Sequence, residues 1–130
     1  MSKKIAIQPE KLSRPFGVWT PVITSEPGKM VFISGLTARN VEGEVVGEGC
    51  YATQTRQICE NLKAAVEAAG GTLDDIMSVT AFVVKLEGFQ EITQVRREYF
   101  PKDPPASTMV QVVSLLDPKC LVEINAIAVI

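Results

Sequence analysis

Residues 120–130, CLVEINAIAVI, decide the fold. Read as a strand, the run sends Val122, Ile124, Ala126, Ala128 and Ile130 to one side and Leu121, Glu123, Asn125, Ile127 and Val129 to the other, because side chains alternate across a pleated ribbon. Both sides are largely apolar, so both need cover. Two segments can supply helices. Across Tyr51 to Ala69 apolar residues recur as Ile58, Leu62, Ala65/Val66 and Ala69, a stripe at helical spacing that Gly70-Gly71 stops. Its other face carries Arg56, Glu60, Lys63 and Glu67, with Glu60/Lys63 and Lys63/Glu67 at ion-pair spacing. A second helix over Phe89 to Tyr99 places Ile92, Val95 and Tyr99 on one side, and Pro101, Pro104 and Pro105 end it. Two helices cover one face of such a sheet, and the second apolar face calls for another subunit. The expected fold is therefore α+β: a mixed sheet with two helices on one face and an oligomer sealing the other.

The remaining β-rich runs fill in that sheet. VWTPVIT (residues 18–24) and KMVFISG (residues 29–35) flank a Pro-Gly turn signal and are expected to form a hairpin after a polar N-terminal segment. EGEVVGEG (residues 42–49) is expected to be a loop or a small excursion with a short strand, and TLDDI (residues 72–76) a capped turn. MSVTAFVVKL (residues 77–86) is long and β-rich enough for a central strand, and STMVQVVSLL (residues 107–116) adds another.

Composition narrows the function. A chain of 130 residues, 46% hydrophobic and 22% charged, matches one soluble globular domain spanning 1–130. The net charge of −2, with no Lys/Arg run longer than two, offers no electrostatic footprint for nucleic acid. No apolar run approaches the roughly 18 residues of a membrane span, and the start lacks the pattern of a secretory signal, so no membrane association and a cytoplasmic location are expected. The three cysteines, Cys50, Cys59 and Cys120, show no CxxC spacing and read as reduced and structural. The chain has no histidine, which removes Ser/His and Cys/His nucleophile pairs and imidazole metal sites. Proton transfer must then use carboxylates, Lys, Tyr, hydroxyls or water.

Glu123 is the leading acid/base candidate, because a carboxylate on a strand of this apolarity must be paired, hydrogen-bonded or protonated. The alternative is a structural carboxylate in an interface. Trp19 is the sole tryptophan and serves either as filler or as a ligand platform. Gly35 ends a strand where a ligand or another backbone could approach. Arg39 could grip a carboxylate or simply be solvated. The pairs Asp74-Asp75 and Glu42/Glu44 are explained by a helix start and a hairpin surface, and the glycines show no phosphate-cradling pattern.

Taken in order, GVWTPVI, MVFISGLT, QTRQICENLKAAVEAAGGTLDDIMSVTAFVVKL, EYFPKDPPAS and LVEINAIAVI resemble the Rid family, also called YjgF or L-PSP-like, over nearly the whole chain. The resemblance implies a chorismate-mutase-like homotrimer in which the sheets form an inner barrel and small-molecule ligands bind in clefts between subunits. It also implies cofactor-independent hydrolysis of reactive enamines and imines to keto acids and ammonia. In active members an arginine directly after the PPA-like segment grips the substrate carboxylate, and a glutamate of the last strand positions water. Glu123 falls on the glutamate position, and Ser107 falls on the arginine position. Trp19 stands where Tyr is usual, Thr93 where many members have Asn, and Met109 where many have Cys or Thr; Gly35 matches the ligand-facing glycine.

Losing such a buried anchor costs about 2–5 kcal/mol, so the resemblance implies a deaminase with an altered substrate. Thr20 and Ser107 would donate hydrogen bonds, Trp19 would pack on the substrate, and Arg39 or Arg14 would be substitute anchors. Ser107→Arg is expected to restore activity on small imines. The alternative is a non-catalytic, metabolite-binding trimer using the same cleft. The ribonuclease activity attributed to some relatives gains nothing from an acidic, histidine-free chain.

Overall fold

The computed structural model describes residues 3–130. Their strands are β1 (Lys4–Ile7), β2 (Val22–Ser25), β3 (Met30–Leu36), β4 (Ile76–Val83), β5 (Ala106–Gln111) and β6 (Val122–Val129), with helices α1 (Tyr51–Ala68) and α2 (Phe89–Tyr99). The main sheet runs β3-β6-β4-β5, which makes the C-terminal strand a central one. β6 is antiparallel to both neighbours, while β4 and β5 are parallel, as two strands joined through a helical crossover must be. Mixed pairing and two helices on one face give the expected α+β architecture.

The alternation in β6 is the one read from sequence. Val122, Ile124, Ala126 and Ala128 are at most 3% exposed and join a core with Ile58, Leu62 and Val66 of α1 and Ile92 of α2. Burying each branched aliphatic side chain is worth about 1.5–3 kcal/mol, so this face holds the helices to the sheet. The other face lies open. Phe32 is 72% exposed opposite Ile127, and Phe82 lies opposite Glu123.

Local signals set the helix ends. Cys50 Sγ accepts the Thr53 N–H at the start of α1, and Gly70, at φ +99°, takes the left-handed conformation that terminates it. Thr72 and Asp75 form a reciprocal capping box over the turn that feeds β4. The 42–49 region is a small excursion held by an isolated bridge from Arg39 to Val45.

Two expectations need correction. β2 and β3 do not form a hairpin: β2 pairs with β1, inside the segment read as merely polar, and β3 pairs with β6. β6 offers β3 a longer partner with a buried face, and Lys29 and Ile130 exchange backbone hydrogen bonds of 2.7 and 2.8 Å to start that ladder. The polar face of α1 is solvated as expected, with Arg56, Glu60, Lys63 and Glu67 all exposed and Arg56 paired with Glu98 of α2. β5 stops at Gln111, so the VVSLL part of its run is not strand and Val113 and Leu116 are fully exposed. Among the described residues, no helix is long and apolar enough to cross a membrane.

The three free thiols should differ sharply in reactivity. Burial pushes the Cys59 thiol up to about 12, whereas hydrogen bonding with the Thr53 side chain lowers that of the more accessible Cys50. With an aromatic disulfide reagent near pH 8, where thiolate fraction governs rate, Cys50 is expected to react in a fast phase that Cys50→Ser removes. Cys59 and Cys120 should react only on denaturation. Equal rates for all three thiols in the folded protein would contradict this packing.

Candidate functional site

A cavity of about 450 Å³ lies between α2, β5 and the segment before β2. Each wall follows from local structure. Phe89, Thr93 and Arg96 are spaced four and three residues apart on α2, so they share the helix face that looks toward β5. Ser107 and Met109 pair in register with the core residues Val79 and Ala81, which directs both to the helix side of the sheet. Phe16, Val18 and Trp19 close the third side. Phe16 meets Trp19 edge to face at 4.9 Å between ring centroids and lies 6.2 Å from Phe89, a small aromatic wall. Gly17 makes the bend tight, since a Cβ there would sit 2.6 Å from the Trp19 ring.

The pocket is apolar with a single charged side chain, Arg96. Only 4% of Arg96 is exposed. Its Nη2 donates to the Val18 carbonyl at 3.3 Å and to Ser107 Oγ at 3.0 Å. Burial lowers its pKa from the usual arginine value, against a smaller opposing pull from the Cys59 thiol. The hydroxyl of Ser107 is therefore a partner of a buried guanidinium.

Of the residues singled out in the sequence, the cavity unites Trp19, Thr93, Ser107 and Met109. Thr20 has another job. It is buried, its hydroxyl donates to the Pro104 carbonyl at 2.5 Å and its N–H donates to the Pro105 carbonyl at 3.2 Å, so it pins the pre-β2 segment to the proline-rich loop instead of facing a ligand. Arg39 is bound to Asp117 at 2.8 Å and to the Gly43 carbonyl at 2.7 Å, and neither it nor the exposed Arg14 lines the cavity. Within one chain, therefore, neither arginine meets this cavity as a substitute anchor.

Glu123 and Gly35 form a second cluster on the open face of the sheet. A Cβ on Gly35 would collide with the Glu123 carboxylate, so the missing side chain makes room for the acid. Glu123 is half-buried and has no hydrogen-bond partner among the described residues. Within one chain it lies on the opposite side of the sheet from Ser107, because it pairs with Phe82 while Ser107 pairs with Val79.

Arg96 escaped the sequence reading. The apolar stripe of α2, Ile92, Val95 and Tyr99, does not include it. The available signal was spacing: Arg96 is four residues from Ile92 and three from Thr93, on the inward arc, whereas Arg97 is exposed.

The residue pattern of the family described as Endoribonuclease L-PSP matches residues 11–130. The chain belongs to this family, also known as Rid or YjgF. A RutC family protein of Pyrococcus horikoshii is 37% identical over 126 residues, covering 96% of this chain and 97% of the relative. Among solved structures, the Rid-family protein YyfB of Yersinia pestis superposes with a TM-score of 0.90 at 31% identity, covering 98% of this chain and 99% of the other. RidA of the Antarctic bacterium Psychrobacter sp. PAMC 21119 gives a TM-score of 0.74 at 30% identity over 97% and 99%. The YjgF-like fold is thus shared along nearly the full length of this Rid-family chain.

The Gly35/Glu123 contact predicts a coupling. Gly35→Ala should lower the urea midpoint in the otherwise unaltered protein and do so much less in a Glu123→Ala background, because the clash is with the carboxylate end of that side chain. Equal losses in both backgrounds would show that Gly35 is required for some other reason.

Proposed function

We propose that this chain is a Rid-type hydrolase that converts a reactive enamine or imine to a keto compound and ammonia, with a substrate preference altered by Ser107 in the place of the usual arginine. The observation that carries the proposal is Glu123: an unpaired, half-buried carboxylate against Gly35, at the position where the family resemblance places its water-directing acid.

The chemistry needs little more. Glu123 takes a proton from water as the oxygen attacks the imine carbon and passes it to the nitrogen, onto which the C=N π pair moves. The resulting carbinolamine collapses when Glu123 takes the hydroxyl proton and delivers it to nitrogen; the C–N bond breaks, the hydroxyl becomes the carbonyl, and ammonia leaves. An enamine first gains a proton at carbon and loses one from nitrogen to become the imine.

The cavity and Glu123 belong to opposite faces of one sheet, so a single site containing both needs Glu123 from a second copy. The open apolar face with Phe32 and Ile127 supplies an area for that contact, and β5, which walls the cavity, is an edge strand. This supports a homotrimer with clefts between subunits, as the resemblance implies. Replacement of the usual arginine favours a second reading, a non-catalytic trimer that binds a metabolite in the same cleft.

An amino-acid oxidase generating imines from a panel of amino acids, with semicarbazide trapping, separates the two. Accelerated imine loss that falls by about 10²–10⁴-fold in Glu123→Ala supports the hydrolase. No acceleration with any imine, beside measurable ligand binding, supports the binding protein instead. Sedimentation should give three times the 14.1 kDa chain mass at micromolar concentration, and a monomer would remove the shared cleft from both readings.

A further inference from the structure

Arg96 is an oddity that the fold does not explain. Both of its hydrogen bonds leave from Nη2, and no other partner exists for the guanidinium among the described residues. No fully enclosed polar side-chain atom lacks a partner, so the free Nε–H and Nη1–H groups are not sealed in protein and must reach the cavity that Arg96 lines. The same reasoning applies to the hydroxyl of Thr93, one turn earlier on α2 and also without a partner. A buried cation with open donors and no counter-ion is costly unless an anion completes it.

We propose that the cavity beneath α2 is a carboxylate-binding site in which Arg96 is the anchor, steadied by Ser107 and assisted by Thr93, and that its ligand is a monocarboxylate with a bulky apolar, preferably aromatic, side chain. The guanidinium fork fits a carboxylate, and Phe16, Trp19 and Phe89 offer faces and edges to the apolar part. The serine hydroxyl that replaces a β5 arginine holds an α2 arginine instead. The anion site has moved from strand to helix, and the space vacated by the longer side chain admits a larger ligand. The proposal rests on the hydrolase reading only in treating that ligand as the acid end of an imine or its keto product; binding itself needs no turnover.

This arrangement reverses the expectation for Ser107→Arg. Ser107 Oγ lies 3.0 Å from Arg96 Nη2, so an arginine built out from this position would bring like charge into the same cavity, and the substitution should weaken carboxylate binding unless Arg96 is also removed.

The test is calorimetric titration of the intact protein with 3-phenylpropionate, its neutral amide, and acetate, with Trp19 emission as a second readout because it is the sole tryptophan and lines the cavity. The acid is expected to bind at least about 10-fold more tightly than the amide, and acetate much more weakly than either aromatic ligand. Arg96→Gln should abolish the preference for the acid, and Arg96→Lys should restore part of it. Arg39→Gln, which removes a charge outside the cavity, should change nothing. If Arg96→Gln fails to fold, the acid-against-amide comparison on the unaltered protein still decides. Equal affinity for acid and amide, no binding of either, or a folded Arg96→Gln protein with unchanged acid affinity would overturn the proposal. Arg96-dependent binding without turnover of any imine would leave the anchor standing and remove the hydrolase reading; Glu123-dependent turnover without Arg96-dependent binding would do the reverse.

Discussion

Strand β6 is bonded along both edges and apolar on both faces, and most of the molecule is arranged to satisfy it. Its even-numbered residues receive α1 and α2, which builds the core. Its odd-numbered residues carry Glu123 among apolar neighbours on a face that this chain covers only in part. One strand therefore supplies the core on one side and an acid on the other, and the pleat keeps those roles apart.

That separation explains why the chemistry is split. The cavity under α2 has shape, aromatic walls and a cation, but no carboxylate; the open face has a carboxylate, beside Gly35. In the proposed assembly, association of copies would cover Phe32 and Ile127 and give Glu123 a route to a neighbour's cavity. The same apolar surface that would be a liability in a monomer then has a function.

Much of the fold was legible because its signals are local and periodic. The stripe in α1, the proline stop after α2 and the alternation in β6 each name their own structure. Pairing was less legible, since β2 was assigned to β3 on the strength of a turn signal between them, while the competition for β3 was won by β6, nearly the whole chain away. The site was half legible. Trp19, Thr93, Ser107 and Met109 do share a cavity, but Thr20 spends its hydroxyl on Pro104 and Arg39 is committed to Asp117. Arg96 was missed because a charged residue on a helix is normally a solvated one, and only the three-dimensional approach of α2 to Ser107 reveals that this one is enclosed.

A crystal structure of the protein with a bound aromatic 2-oxo acid tests the central claim most directly. The account predicts the ligand's carboxylate on Arg96 Nε and Nη1, its ring against Trp19 and Phe89, and the partner subunit's Glu123 facing its keto carbon. A ligand bound away from Arg96, or a cleft into which no second copy brings Glu123, would contradict it.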